Sequence, residues 1–387
     1  MNIKHAIILA LSSLLISTSL FSCSETETAV KETTSVQAST EAETSNDDLV
    51  HEELEGLENT QEPEEQIPEV VYTNPLSGLA CDEYTTTKRP VAMMINNIKK
   101  ATPQLGIARA DIIYECIVEG GITRLMAVFS DYETLPETGS VRSSRDYYLD
   151  LAQSHDAIYA HCGGSEIAYS TIASRKIDNI DGVNGSYAES SAYWKNKDRV
   201  RAMGYEHASM TNGENLVKSI SDMKFRTTLA DDFSHPLNFA KESTRFQGTD
   251  AISLQIAFSH YAKSFFSYDE NEKVYLKGQF SAPHIDGETG NTLSFKNIII
   301  LYAPYKNTGD SYGHLELNFT GNGYGMYISE GQAKSIVWKK YDRQTPYSLY
   351  EQDGTTPLLL NPGKTYIGIT NSSHDVTVCP DQTYIVE

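Results

Sequence analysis

Residues 110–131, ADIIYECIVEGGITRLMAVFSD, hold two apolar runs of strand length joined by Gly120-Gly121. This feature constrains the fold most, because a two-residue glycine link between alternating hydrophobic runs is a tight hairpin turn that commits the segment to an antiparallel pair. With Gly-Gly as the whole turn, the register sets Glu119 opposite Ile122 and Ile117 opposite Arg124. One face then carries Glu115, Ile117, Glu119, Ile122, Arg124 and Met126. The other carries Tyr114, Cys116, Val118, Thr123, Leu125 and Ala127 and is the expected core face, so Arg124 is expected between two glutamates.

The surrounding segments extend this pattern. RPVAMMINN reads as a buried strand, and after the hairpin a helix over 143–154, a strand over 156–162 and a helix from 166 to about 175 alternate as in an α/β layer. Past residue 250 short alternating strands separated by Gly, Asn and Asp take over, as expected of a sandwich or curled sheet. The chain from residue 72 onward, about 300 residues, exceeds what one core usually serves. The predicted fold class is α+β: an N-terminal α/β domain over 72–240 containing the tight hairpin, followed by a β-rich C-terminal domain over 241–387.

The N-terminus follows different physics. MNIKHAIILALSSLLISTSLFSC has basic residues ahead of an apolar run too short to span a membrane, then Leu20-Phe21-Ser22 before Cys23. A small residue just before cysteine, with leucine three places ahead of it, is what a lipoprotein signal peptidase reads, although Phe21 is an unusual filler. Residues 1–22 are therefore expected to be removed and Cys23 to carry the lipid, whose several acyl chains make a stable anchor. Residues 24–71 hold fifteen acids against Lys31 alone, with almost no aromatic residue. Together with Cys23 they are expected to form a disordered acidic tether, 23–71. Most of the formal net charge of −21 belongs to this stretch, so it reports little about the folded part's partners, and no nucleic-acid partner is expected. The expected location is the extracytoplasmic face of the cell membrane. Cys81, Cys116, Cys162 and Cys379 form no CxxC and no dense framework; no zinc, other metal or cofactor site is expected, and no disulfide is assigned.

Residues 72–240 hold nine arginines and eight lysines, against two and ten in residues 241–387. Arginine grips carboxylate and phosphate bidentately, so an anion site is expected in the first domain. In SVRSSRDYYLDL, Ser143 and Asp146 resemble a capping box, with Arg142 just before the helix and Arg145 in its first turn. Guanidiniums and free helix N–H groups would converge there on a phosphate or carboxylate. The plain alternative is that both arginines pair with Asp146, Asp150, Glu115 or Glu119. In DAIYAHCGGSEIA, His161 ends a strand and Gly163-Gly164 would bring backbone N–H groups to a ligand ahead of Ser165 as helix N-cap. His161 and Cys162 point to opposite strand faces, which argues against a cysteine nucleophile activated by that histidine. A serine–histidine pair of Ser165 with His161 or His207 stays open. Glu115 and Glu119 lie roughly 13 Å apart along a strand, too far for a glycosidase pair at about 5–9.5 Å. His284, Asp286 and Glu288 in PHIDGETGN are a weaker metal alternative to a polar hairpin loop.

The stretches NPLSGL, RPVAMMINN, TPQLGIARADIIYECIVEGGITRLMAVF, GSVRSSRDYYLDLA, DAIYAHCGGS, PHIDGETGN and LLLNPGKTYIGI, in this order, resemble the YerB-type family of bacterial lipoproteins. The resemblance spans nearly all of residues 72–387. It implies an exported lipoprotein with N- and C-terminal parts and no established reaction. By resemblance the retained motif positions include Glu115, Glu119, Arg124, Arg142, Arg145, Asp150, His161, Gly163 and Gly164. Two departures stand out: Thr102, where the family usually has arginine, and Glu206-His207-Ala208 in place of Pro-His-Asn. The leading expectation is a membrane-anchored protein binding an anionic envelope ligand, a wall polymer or lipid-linked sugar phosphate, through Arg124, Arg142, Arg145, Gly163, Gly164 and Ser165. One alternative is an envelope hydrolase or transferase using Glu115, Glu119, Asp150, His161 or His207 as acid or base beside the arginines. Another is a scaffold lipoprotein docking an envelope protein, with structural arginines.

Overall fold

The computed structural model describes residues 70–384; the leader, Cys23 and the acidic stretch to residue 69 lie outside the described residues. The N-terminal part supplies strands β1 (Val91–Asn97), β2 (Ile112–Ile117), β3 (Thr123–Phe129), β4 (Ile158–His161) and β5 (Asn179–Asp181). It also supplies helices α1 (Asp146–Gln153), α2 (Glu166–Arg175) and α3 (Gly213–Asp222). The C-terminal part is built from β6 (Ser253–Ala257), β7 (Lys263–Asp269), β8 (Val274–Gln279), β9 (Asn297–Tyr302), β10 (Gly321–Ser329), β11 (Gln332–Lys340), β12 (Thr365–Thr370) and β13 (Val376–Cys379). The α+β class therefore holds, with an α/β part followed by a β-rich part.

One eleven-stranded sheet runs through both parts in the order β11-β10-β9-β12-β2-β3-β1-β4-β5, with the short strands Thr249–Asp250 and Ser348–Glu351 each pairing with β11. The join is β12, which lies parallel to β9 on one side and parallel to β2 on the other. Such a centre is buried on both faces, which explains the near-continuous apolar runs of β1, β9 and β12. A six-stranded sheet containing β8, β7, β6 and β13 contributes Leu254, Ile256, Phe266 and Tyr275 to the core on the face that displays Ile113, Leu125 and Ile300. On the opposite face Tyr147, Tyr148 and Leu151 of α1 join Tyr114, Met126 and Ile299. Eight of the twelve largest fully buried side chains are tyrosines, so tyrosine supplies much of the core's bulk.

The hairpin differs from expectation by one residue. Val118 donates to Ile122 O at 2.8 Å, and Ile117 pairs with Thr123 and Cys116 with Arg124, leaving Glu119-Gly120-Gly121 as a three-residue loop. Both glycines take the left-handed conformation, at φ +70° and +71°. The shift moves Arg124 to the face of Tyr114, Cys116 and Met126, whereas Glu115 faces the six-stranded sheet with Leu125 and Ala127. Arg124 is therefore not between two glutamates, and both faces are core. The physical reason is that the hairpin is covered on both sides, so neither face had to be polar.

Candidate functional site

Helix α1 begins at Asp146, three residues later than the sequence suggests, and its N-cap is Arg145 with no side-chain capping bond. Arg145 Nε donates to Glu119 Oε2 at 2.9 Å and Nη2 to Glu119 Oε1, while Nη1 donates to Ser144 O at 2.6 Å. Arg124, arriving from β3, donates Nη2 to Glu119 Oε1 at 3.0 Å and Nη1 to Ser143 O at 2.8 Å. One carboxylate in the hairpin loop is thus forked by two buried guanidiniums. Burial alone would raise the Glu119 carboxyl, but the Arg145 hydrogen bond and both arginine charges outweigh it and hold it at about 2. Burial and neighbouring Arg145 bring Arg124 down to about 10, so it stays charged at neutral pH. Arg142 lies further out; its Nη2 donates to Glu206 Oε2 at 2.9 Å, and that glutamate side chain is 63% exposed.

The glycine turn after β4 is also occupied from within. The Gly163 N–H donates to Asp181 Oδ1 at 2.9 Å, and the Val183 and Asn184 N–H groups and the Tyr169 hydroxyl converge on the same carboxylate. Ser165 caps α2 as expected, accepting from Ala168 N at 3.2 Å. His161 turns Nδ1 to Gly163 O at 2.8 Å and Nε2 to Asn179 Oδ1 at 3.1 Å, and His207 places Nδ1 on Asn96 Nδ2 at 2.9 Å. Neither histidine bonds Ser165. Burial leads the lowering of the His207 pKa. Asp181 was not singled out in the sequence; its signal was its place at a strand end immediately before Gly182.

The other candidate acids are equally engaged, away from the arginine cluster. Glu115 is buried and accepts from Asn97 (3.1 Å), Thr123 (2.7 Å), Ser264 (2.8 Å) and Tyr366 (2.8 Å), with Lys277 Nζ 3.4 Å away. It ties the two sheets together. Asp150 is gripped by Arg175 Nη1 and Arg343 Nε, each at 2.8 Å; burial leads in raising its pKa, and the two arginines oppose it. His284, Asp286 and Glu288 diverge: His284 bonds Gln104, Asp286 collects the N–H groups of Gly106, Ala108 and Glu288, and Glu288 meets Arg109. Among the described residues no group of three or more His, Cys, Asp or Glu side chains could hold a metal ion. Cys81, Cys116, Cys162 and Cys379 are free thiols, and burial pushes Cys116 and Cys162 up to about 12.

A sizeable cleft lies apart from the arginine cluster at Glu119. A cleft of about 610 Å³ between the α1/α2 ends, residues 226–235 and residues 344–348 is lined by Arg89, Arg175, Lys176, Arg226 and His235, with Asp156, Asp178 and Asp232. Four basic side chains meet three acids there. Arg226 forks Asp156 with both Nη atoms at 2.8 Å, and Arg89 takes Asp178 at 2.6 Å. Lys176, the exposed C-cap of α2, makes no ion pair among the described residues. Burial lowers His235 to about 4, so it is neutral, and its buried Nδ1 lacks a partner. The arginine bias of the N-terminal part was the available signal for this cleft, since Arg89, Arg175 and Arg226 all belong to it.

Residues 76–226 and 254–367 match the N-terminal and C-terminal domains of a family described as protein of unknown function, DUF3048. The chain is 29% identical over 304 residues to a Bacillus subtilis (strain 168) protein named as a lipoprotein, YerB, covering 76% of this chain and 85% of that one. The crystal structure of the YerB protein from Bacillus subtilis matches with a TM-score of 0.68 and 26% identity, covering 80% of this chain and 99% of that one. Both halves occur in the same order and the fold is shared, so this chain belongs to the YerB-like family of DUF3048 proteins, whose function is unknown.

Proposed function

We propose that this chain is a lipid-anchored protein on the extracytoplasmic face of the cell membrane that binds an anionic envelope ligand, such as a wall-polymer phosphate or a lipid-linked sugar phosphate. The lipid-attachment pattern at Cys23 and the relative named as a lipoprotein support the anchor. The observation that carries the binding reading is the open cleft at Arg89, Arg175, Lys176 and Arg226. It holds an ammonium, Lys176, without an ionic partner among the described residues, whereas Arg124 and Arg145 are already matched by Glu119 and Arg142 by Glu206. The guanidiniums of Arg89, Arg175 and Arg226 are themselves ion-paired, so the exposed Lys176 ammonium is the charge left to meet a phosphate as a point charge.

The test is calorimetric titration of the full-length chain in detergent with inorganic phosphate and with a glycerol-phosphate oligomer, at two ionic strengths. Binding is expected to weaken with salt, and Lys176→Gln to weaken it about fivefold, in line with a single partly screened charge contact. Loss with Arg142→Gln but not Lys176→Gln would return the site to the helix start. No binding of either anion at low salt would overturn the reading. Glycerol release during the titration would instead favour the hydrolase alternative.

A further inference from the structure

A second cleft, also about 610 Å³, opens beside the turn between β8 and strand Ala282–Pro283, against Thr102 and Pro103. Pro103, Phe280, Pro283 and Ile285 give it apolar walls, no acid lines it, and Lys99 is its single cation. Its polar lining includes Thr102 and Ser281, together with the buried Gln279 and His284, which are only 4% and 1% exposed. The ladder explains why they sit together. His284 N donates to Lys277 O, so His284 lies across from Lys277, and Gln279, two positions further along β8, shares that face.

The neighbours fix the polarity of both groups. Gln104 spends its Nε2 on Asn96 O (2.9 Å) and Asn97 Oδ1 (3.2 Å), so its Oε1 must accept, and His284 Nε2 at 2.9 Å must donate. His284 is buried and held neutral, its pKa well below the usual histidine range through burial and the nearby Lys277. Its Nδ1 is therefore a bare acceptor, and it has no partner. Gln279 turns Oε1 to the Lys277 ammonium at 3.3 Å, which leaves Nε2 as a donor, also without a partner. A flipped amide would point N–H groups at a cation. Two orphaned buried groups of opposite sense on one sheet face form an expensive arrangement that a complementary ligand relieves.

We infer that this cleft is a binding site for a small molecule carrying a secondary amide, whose N–H meets His284 Nδ1 and whose carbonyl meets Gln279 Nε2, with its body against Pro103, Phe280 and Ile285. Acetamido sugars and acylated amino-acid amides both present this group. The site is separate from the basic cleft and stands or falls without it.

The test uses full-length chain in detergent, labelled with ¹⁵N-histidine, with the His284 signals assigned by their loss in His284→Gln. It is titrated with N,N′-diacetylchitobiose, with N-acetylalaninamide and with the deacetylated chitobiose as control. Either amide is expected to bind at millimolar concentration or better and to shift the Nδ1 resonance toward a hydrogen-bonded value; which one binds identifies the source. Gln279→Met, close in volume but lacking the donor, is expected to weaken binding roughly tenfold. Ile285→Trp, which occupies the cleft from its rim and leaves the buried network intact, is expected to weaken it as well. Lys176→Gln is expected to leave it unchanged. The proposal is overturned if neither amide binds at millimolar concentration, if the deacetylated control binds equally well, or if a folded Gln279→Met binds as wild type. In those cases an internal water satisfies the two atoms.

Discussion

Glu119 does for Arg124 and Arg145 what a bound anion would do, and this sets what substitutions there should cost. Removing it leaves two guanidiniums, 6% and 8% exposed, facing each other without a counter-charge. Glu119→Gln is expected to destabilise the fold by about 3 kcal/mol in urea denaturation, as for a broken buried pair. Glu206→Gln, which breaks the exposed pair with Arg142 and the 3.3 Å contact of Glu206 Oε1 with His207 Nε2, should stay within about 1 kcal/mol. Equal effects would contradict the distinction between a lock and a surface pair. His155 offers a pH test. It is buried against Tyr114 and Tyr347, with Tyr114 OH 2.6 Å from both His155 Nε2 and Tyr347 OH, and burial lowers it from 6.5 to about 3. The unfolded chain binds that proton first, so its contribution is complete above about pH 6.5 and is lost as pH falls toward 3. His155→Gln should flatten the stability profile between pH 6.5 and 4 relative to wild type, measured by chemical denaturation at each pH. Most pairings at this scale were not legible in the sequence. The stretch SVRSSRD shows two arginines, and the sequence offered Glu119 as one of four candidate counter-charges without ranking it; the structure gives it to Arg145, while Arg142 turns to Glu206, which was not among them. Glu115 was visible as a strand glutamate, yet its Lys277 partner is set by a contact between sheets.

At the scale of elements, local signals were read well where the chemistry is local. The glycine pair marked the hairpin, Ser165 marked the start of α2, and the apolar run 91–97 marked a buried strand. The register was misread by one because Gly-Gly fits a two-residue turn and the second half of a three-residue loop equally well, and hydrophobic alternation could not arbitrate with both faces buried. The observed loop predicts a separable glycine effect. A Cβ at Gly120 would meet nothing within 4 Å, so Gly120→Ala is expected to cost about 1–2 kcal/mol from the left-handed backbone alone. Gly120→Asn should cost clearly less. If both were neutral in thermal unfolding, the φ of +70° would be wrong. The late start of α1 has a similar origin: Ser143 and Asp146 have capping-box spacing, but the backbone at 143 and 144 is committed to Arg124 and to the Gly163 turn.

At the scale of the whole molecule, composition divided the chain into an α/β part and a β-rich part, and the structure has both. What composition could not show is that β12 pairs with β2, because parallel neighbours distant in sequence leave no local trace. The pairing yields a prediction: residues 70–240 expressed alone lack β12, which exposes the edge of β2 and the apolar face that meets Leu254 and Phe266. That fragment is expected to aggregate or remain unfolded, as judged by circular dichroism and size-exclusion chromatography, and co-expression with residues 241–384 should rescue it. A soluble, cooperatively folding fragment would contradict the dependence.

The position of β12 also fixes an order of events. The strand that β2 needs on its open side emerges from the ribosome roughly 250 residues after β2 itself. The central ladder therefore cannot close until residues 365–369 have been made, and its closure must span a loop of roughly 250 residues. Until that strand arrives the sheet stays open at its centre, which is the condition a chain needs if it is to be threaded through a narrow channel before it folds.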